Sequence, residues 1–349
     1  MILPQSASAV MFLMVLSLLC LGSWANFYKL AGKWRNELFY FDFAFGVMLA
    51  TVLYAATVGN LGYDGFSFWD DFLHAGKRQW VFAFVAGLIF NFGNMLLLTA
   101  VSVAGMAVAF PIGMGVAILV ATGINSATRP AGNVLLVLLG CALIVASIVV
   151  NAMAYRMERV RRHEELARAG TAKSTRRPTE MKGIIIALVS GLLLGSFTPL
   201  VDKARLGDYG LGPYAVGALF TFGIFISTFL FNIFLINLPV HGDPIELGAY
   251  LDGKRKQHIL GIAAGAVWCT GAMAALVASS APEQFLSGPL ARGLLGQGVP
   301  LIAALWGLLV WKEYRGGDMR VKTLLTLMII LLACGLALVA MSPLYVPNV

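Results

Sequence analysis

Long apolar runs separated by short polar gaps fill the chain from end to end. A helix needs roughly 20 mostly apolar residues to cross the hydrocarbon core of a bilayer. Ten runs reach that length, near 9–28, 40–60, 79–102, 104–126, 131–154, 182–201, 211–238, 258–280, 284–311 and 321–342. The third and fourth are divided only by "VSVAGMAVAF", which holds no charge, because one run from 79 to 126 is too long for a single crossing. Lipid offers no partner to a bare backbone amide, so the spans are predicted as helices. The pattern therefore predicts an all-α polytopic membrane protein with ten transmembrane helices.

Composition agrees with that pattern. The chain is 59% hydrophobic and 12% charged, with a mean hydropathy of +0.82. A soluble domain carries about 25% charged residues, so lipid is the expected solvent for most of this surface. In that setting the net charge of +8 argues for membrane orientation and not for nucleic acid. Lys and Arg number 19 in the odd-numbered gaps and 5 in the even-numbered gaps, with Arg292 inside a run. Positive loops stay in the cytoplasm. The expectation is a cell inner (plasma) membrane protein with both termini outside and the basic stretch 155–181 in the cytoplasm. "MILPQSASAV" has no basic residue before its apolar run, so the first helix is expected to be retained. The cysteines all lie inside apolar runs and read as packing residues. No metal-ligand spacing and no G-x-x-x-x-G-K-[ST] motif occurs, so neither a metal, a cofactor nor ATP is expected.

A repeat organises the ten runs. "AGLIFNFGNM" at 86–95 and "AGAVWCTGAM" at 264–273 share a frame, and the ungapped match continues through Pro111 and Pro289. Nine of thirty positions are identical over 86–115. "LGSW" at 21–24 likewise matches "LGSF" at 194–197. Each unit then holds five helices, residues 1–154 and 182–349, joined by the basic linker 155–181. Part of that linker reads as a charged surface helix, and the favoured reading of the whole is a solvated tether. Five is odd, so the second unit enters from the opposite side and the repeats are inverted, an architecture of secondary transporters. Pro111 and Pro289 fall inside spans, where a missing amide permits a bend with a gating role, or simply a packing kink.

Ten helices as five plus five, with "LGSWANFYKLAGK" closing the first span and "WKEYRG" after the ninth, resemble the drug/metabolite transporter superfamily. "SGLLLGSFTPLVDK" and "ELFYFDFAFG" are most similar to its sugar and ureide permease branch. The resemblance implies uptake of a small polar solute, often with protons.

Polar groups inside lipid are functional candidates by default. Arg292 carries a fixed charge with five donors, suited to a carbonyl, a carboxylate or several hydroxyls. The alternative reading is that it snorkels outward or pairs with Glu283. Asn91 and Asn94 share a helix face, and their amides both donate and accept, as does Gln297. All three suit a polar solute or interhelical hydrogen bonds. Trp24, beside Asn26, and Trp268 offer stacking surfaces. Trp69, Trp80, Trp306 and Trp311 read as interface anchors. Coupling needs a group that gains and loses a proton, and Asp42 and Glu283 are the candidates. The histidines fall in loops or at span ends and are not expected to act as relays. No catalytic constellation is present, so an enzyme is not expected. The leading expectation, as the resemblance implies, is proton symport of a sugar or a ureide/nucleobase-like solute. The alternatives are an exporter of amino-acid-like or drug-like metabolites and a non-transporting scaffold.

Overall fold

The computed structural model describes residues 1–62, 64–128, 132–168, 181–282, 285 and 297–345. Among these residues all regular structure is helical, and nine helices are long and apolar enough to cross a membrane. The first crossing is α1 (Ala7–Ser23) continued by α2 (Ala25–Leu30), and the second is α3 (Asn36–Ala56). A short α4 (Phe68–His74) precedes α5 (Lys77–Ala104), followed by α6 (Met106–Thr128) and α7 (Val134–Arg168). The second half starts with α8 (Lys182–Ser196) continued by α9 (Thr198–Arg205), then α10 (Pro213–Asn237) and α11 (Arg255–Ala278). It ends with α12 (Val299–Leu305), a π-helical turn at Trp306–Val310, and α13 (Met319–Met341). Much of the expected ninth crossing lies outside the described residues, and α12 with its π turn is its described end. Large apolar side chains such as Leu49, Leu53, Leu138 and Leu230 are exposed on the outer helix faces, a surface that only lipid solvates favourably.

The weak division between the third and fourth runs is a true turn. Gly105 breaks the helix with φ of 90°, a left-handed value that an L side chain resists. A Cβ there would also meet the Glu313 carboxylate at 2.6–2.9 Å. The first and sixth runs are each interrupted for one residue, at Trp24 and at Phe197, which are the last letters of the LGSW and LGSF repeats. Both residues keep right-handed helical torsions, so each site is a bend in a crossing and not an end. Pro199 follows one bend and removes an amide there. At the other, the Asn26 side chain donates to the Ser23 carbonyl at 2.8 Å.

Helix pairing follows the repeat. α3 packs on α11 and α10 on α5; α6 packs on α8 and α1 on α12; α5 packs on α8 and α1 on α11. Exchanging each helix for its counterpart in the other half turns every one of these pairs into its companion, while α7 pairs with its own counterpart α13. The shared A-G dipeptides sit at two of these crossings. Gly87 lies on the backbone of Phe220 and Gly223, and Gly265 on that of Phe43 and Val47, with no room for a Cβ at either. Small residues let helices approach this closely in lipid, where dispersion contacts and not water exclusion drive association.

Residues 155–168, the first part of the basic stretch, continue α7 as the charged helix its sequence allowed, and the 35 residues of α7 span about 52 Å. Glu158 is 3% exposed and accepts from Arg161 at 2.7 and 2.9 Å and from Arg162 at 2.6 Å. These (i, i+3) and (i, i+4) pairs stabilise a helix beyond the bilayer.

Candidate functional site

A cavity of about 230 Å³ lies among α1, α5, α6, α8, α10, α11 and α12, where the two halves meet. Trp24 and Trp268, two of the sequence candidates, form part of its wall, with Phe90, Phe197 and Phe220. Trp268 lies 4.9 Å from Phe90 and 6.4 Å from Phe220, nearly parallel to the latter at 19°. Trp24 packs on Phe43 at 4.9 Å and on Phe110 at 6.4 Å. Against this aromatic wall the polar side chains are few. Asn94 lines the cavity and donates to the Tyr40 hydroxyl at 2.9 Å, and Thr221 and Cys269 line it as well. Such a site offers ring faces for a flat or partly apolar molecule and a small number of fixed polar contacts to orient it.

The other candidates are placed differently. Asn91 is fully buried and off the cavity wall; its amide donates to Ser227 at 2.8 Å and to Thr228 at 3.1 Å across α5 and α10. Its repeat counterpart Cys269 contacts Thr51 at 3.3 Å across α11 and α3, so this repeat position ties equivalent helix pairs together. We expect Asn91→Leu to lower thermal stability by about 1 kcal/mol, as a lost interhelical hydrogen bond does; a denaturation curve in detergent measures it. Asn26 serves the bend in the first crossing and accepts from the Trp311 indole at 2.6 Å, and the Trp306 indole donates to Ser23 at 2.8 Å. Trp306 and Trp311 therefore tie the described end of the ninth run to the first crossing. Trp80 likewise donates inside the protein, to the Phe72 carbonyl at 3.2 Å, while Trp69 is exposed. Gln297 precedes α12, and its side-chain carbonyl is buried with no partner among the described residues. Pro111 sits inside α6 without breaking it. The Ala107 carbonyl, which would have accepted the amide that proline lacks, accepts instead from Asn151 of α7 at 3.1 Å. Arg292, Glu283 and Pro289 lie outside the described residues.

Asp42 is 3% exposed and belongs to a cluster of three. Its carboxylate accepts from the Tyr250 hydroxyl at 2.6 Å and lies 2.9 and 3.1 Å from Nδ1 of His258. Tyr250 closes a 3₁₀ turn at Leu247–Tyr250, and the imidazole is flanked by Tyr250 at 4.8 Å and Trp34 at 5.4 Å. Burial, with the adjacent Asp42 carboxylate, holds the Tyr250 phenol well above its ordinary value, so it remains a donor. The cluster joins α3 of one half to α11 of the other, and it couples a buried acid to an imidazole that is partly open to solvent.

At the same end of the bundle, Glu313 reaches between the halves. One oxygen accepts from the Met106 amide and the other from the Ala107 amide, both at 2.8 Å, so the carboxylate caps the N-terminus of α6. It also pairs with Lys29 of α2. A carboxylate is favoured there by the unpaired amides and by the helix dipole. The π turn and Lys312, at φ of 50°, swing the chain so that Glu313 points back at α6. This clasp links α2, α6 and the end of the ninth crossing.

Comparison with known proteins gives full-length likeness at low identity. The chain is 22% identical over 404 residues to Ureide permease 1 of Arabidopsis thaliana, covering 98% of this chain and 99% of that protein. Ureide permease 4 of the same plant is 23% identical over 402 residues, with the same coverage, and Ureide permease 2 is 22% identical over 404 residues. No protein-family model matches the chain, and no solved structure does.

Several residues at these sites were not singled out from the sequence. Phe90 aligns with Trp268 in the repeat, and Phe197 aligns with Trp24, so the repeat itself held the signal for both. His258 sits in the first turn of α11, a span end, and only the fold brings it to Asp42. Lys29 and Glu313 are 284 positions apart, and no local pattern joins them.

Proposed function

We propose that this chain is a secondary active transporter that takes up a small polar solute, a sugar or a ureide/nucleobase-like compound. Solute enters the cavity between the halves, and the ten crossings, as two inverted five-helix repeats, expose it to each side in turn. The observation that carries the reading is that cavity: a small aromatic chamber where the two repeats meet, with Asn94 as its fixed amide. The exchange-symmetric helix pairing supports the inverted repeat, and the full-length likeness to ureide permeases supports solute uptake. Substrate contacts fall to Trp24, Trp268 and Asn94, with Arg292 and Gln297 retained as candidates from the ninth crossing. Asp42 carries the proton in symport; its contact with His258 gives that histidine a part in coupling that the sequence did not lead us to expect, and Glu283 is the second coupling candidate. The basic loops face the cytoplasm, with both termini outside, in a plasma or inner membrane.

Cavity size and lining support this reading over one with drug-like or amino-acid-like solutes. About 230 Å³ is below the ~300–1,000 Å³ of sites for drug-sized ligands. The described lining also holds no charged side chain, which an amino-acid zwitterion would need.

Counterflow in proteoliposomes against a panel of sugars, ureides and nucleobases tests the reading. With the solute so found, Trp268→Ala is expected to weaken half-saturation about tenfold, the equivalent of ~1.4 kcal/mol of stacking and burial. Asn94→Ala is expected to weaken it roughly fivefold, by one lost hydrogen bond. Asn91→Leu, which lies off the cavity, leaves it unchanged. Equal effects at Asn91 and Asn94, or none at Trp268, would remove the cavity as the solute site.

A further inference from the structure

A second cavity lies apart from the central one and is not used by the transport reading. It measures about 440 Å³ and sits between α2, the α5–α6 turn, α7 and the turn after the ninth crossing. Its wall is polar where the central one is aromatic. Lys29, Arg159 and Arg162 face Glu158 and Glu313 across it. Four of these five charges are engaged: Lys29 with Glu313, and Arg162 with Glu158 and with the Glu313 carbonyl. Arg159 is the exception. Its guanidinium lies 5.9 Å from the Tyr155 ring, and its Nε is buried with no hydrogen-bond partner among the described residues.

The opposing wall supplies a second unused group. Tyr314 is 9% exposed, and its hydroxyl is likewise buried without a partner among the described residues. Burial, and next the Glu313 carboxylate, hold its phenol well above the ordinary value, so it stays protonated and able to donate. An unsatisfied buried donor costs on the order of 1–3 kcal/mol, and this cavity has two just behind its wall. Both are donors, one of them cationic, and the charged lining carries one more positive than negative group. A ligand that satisfies both brings acceptor oxygens and negative charge. Guanidinium groups match the oxygens of phosphate and carboxylate in geometry as well as in charge.

We propose that this cavity is an oxyanion site that takes a phosphoryl group, with Arg159 and Tyr314, whose unpartnered donors lie just behind its wall, as the residues that bind it. The phosphoryl group belongs either to a free phosphate compound or to a phospholipid headgroup, because the cavity lies at the end of the bundle that carries the basic loops. The site is independent of the solute cavity and of the transported compound.

Thermal unfolding of the full purified chain tests it, with inorganic phosphate against chloride at equal ionic strength. In parallel, the chain is studied in nanodiscs of neutral lipid with and without phosphatidic acid. Stabilisation by inorganic phosphate identifies a free ligand, and stabilisation by phosphatidic acid alone identifies a headgroup. In either case Arg159→Gln is expected to weaken the effect at least about tenfold, the loss of one charge-assisted contact. Arg168→Gln removes the same charge from an exposed position on the same helix and is expected to leave the effect intact. Tyr314→Phe removes a hydroxyl that has no partner, so the unliganded chain keeps its stability while the phosphate effect falls. Stabilisation by neither ligand overturns the proposal. So does an effect that Arg159→Gln and Arg168→Gln reduce alike, since it then reports surface charge only.

Discussion

Asp42→Asn is expected to abolish proton-driven accumulation while leaving solute exchange intact. The carboxylate is buried between two halves of the molecule and touches the two groups best able to pass or hold its proton, Tyr250 and His258. An amide in its place keeps the shape and can still accept from Tyr250, so the fold and the solute cavity are preserved. The charge that responds to the gradient is lost. Moving one charge through ~100 mV is worth about 2.3 kcal/mol, roughly a fifty-fold concentration ratio. Accumulation in proteoliposomes under such a gradient therefore falls from up to that ratio to about unity, whereas counterflow without a gradient continues. Accumulation by Asp42→Asn at the parent ratio would place the coupling proton on another group.

Glu313→Ala carries the second large effect, on stability and on access together. The substitution leaves Lys29 without its partner and strips the Met106 and Ala107 amides of their acceptor. Side-chain exposures of 18% for Lys29 and 12% for Glu313 put the pair largely out of water. Breaking one partner out of a buried pair costs about 3 kcal/mol. We expect a loss of that order in thermal stability, with Glu313→Gln intermediate because an amide oxygen still caps the helix. The clasp joins α2, α6 and the end of the ninth crossing at one end of the bundle, so its loss is expected to open a path from that end to the solute cavity. A cysteine placed on that path is then expected to react faster with a water-soluble maleimide from the basic-loop side. Unchanged labelling, with stability lowered, would make Glu313 a structural cap and not a gate.

How much of this could be read from the chain differs from element to element. Nine of the crossings were legible because lipid imposes one strong rule, and even the chargeless division fell within a few residues of Gly105. The bends at Trp24 and Phe197 were present as a repeated string before their geometry was known. Asn91 and Asn94 were indistinguishable in sequence, three residues apart on one face. Only the partners on α10 show that one is spent on packing while the other meets the cavity. Glu158 is a similar case: in a basic stretch it reads as solvated, and its burial depends on what packs against the far end of α7. Long-range pairs such as Asp42 with His258 follow from the meeting of α3 and α11, which no local pattern encodes.

The two bends have a mechanical consequence. Beyond Trp24 the first crossing continues for only six residues, and beyond Phe197 the sixth continues for eight. These tips point to opposite ends of the molecule. One ends near Lys29, held by Glu313, and the other near Arg205, held by Ser279 and Ser280 at 2.8 and 2.7 Å. Each tip is a short lever on a soft joint, with its aromatic pivot in the chamber wall. On the proposed transport cycle, a solute that presses on Trp24 or Phe197 is expected to act on the lever at its pivot and reach the latch at its tip. The glycine-locked crossings of α3 with α11 and of α5 with α10 can then remain rigid, so the work of opening falls on fourteen residues and not on whole helices.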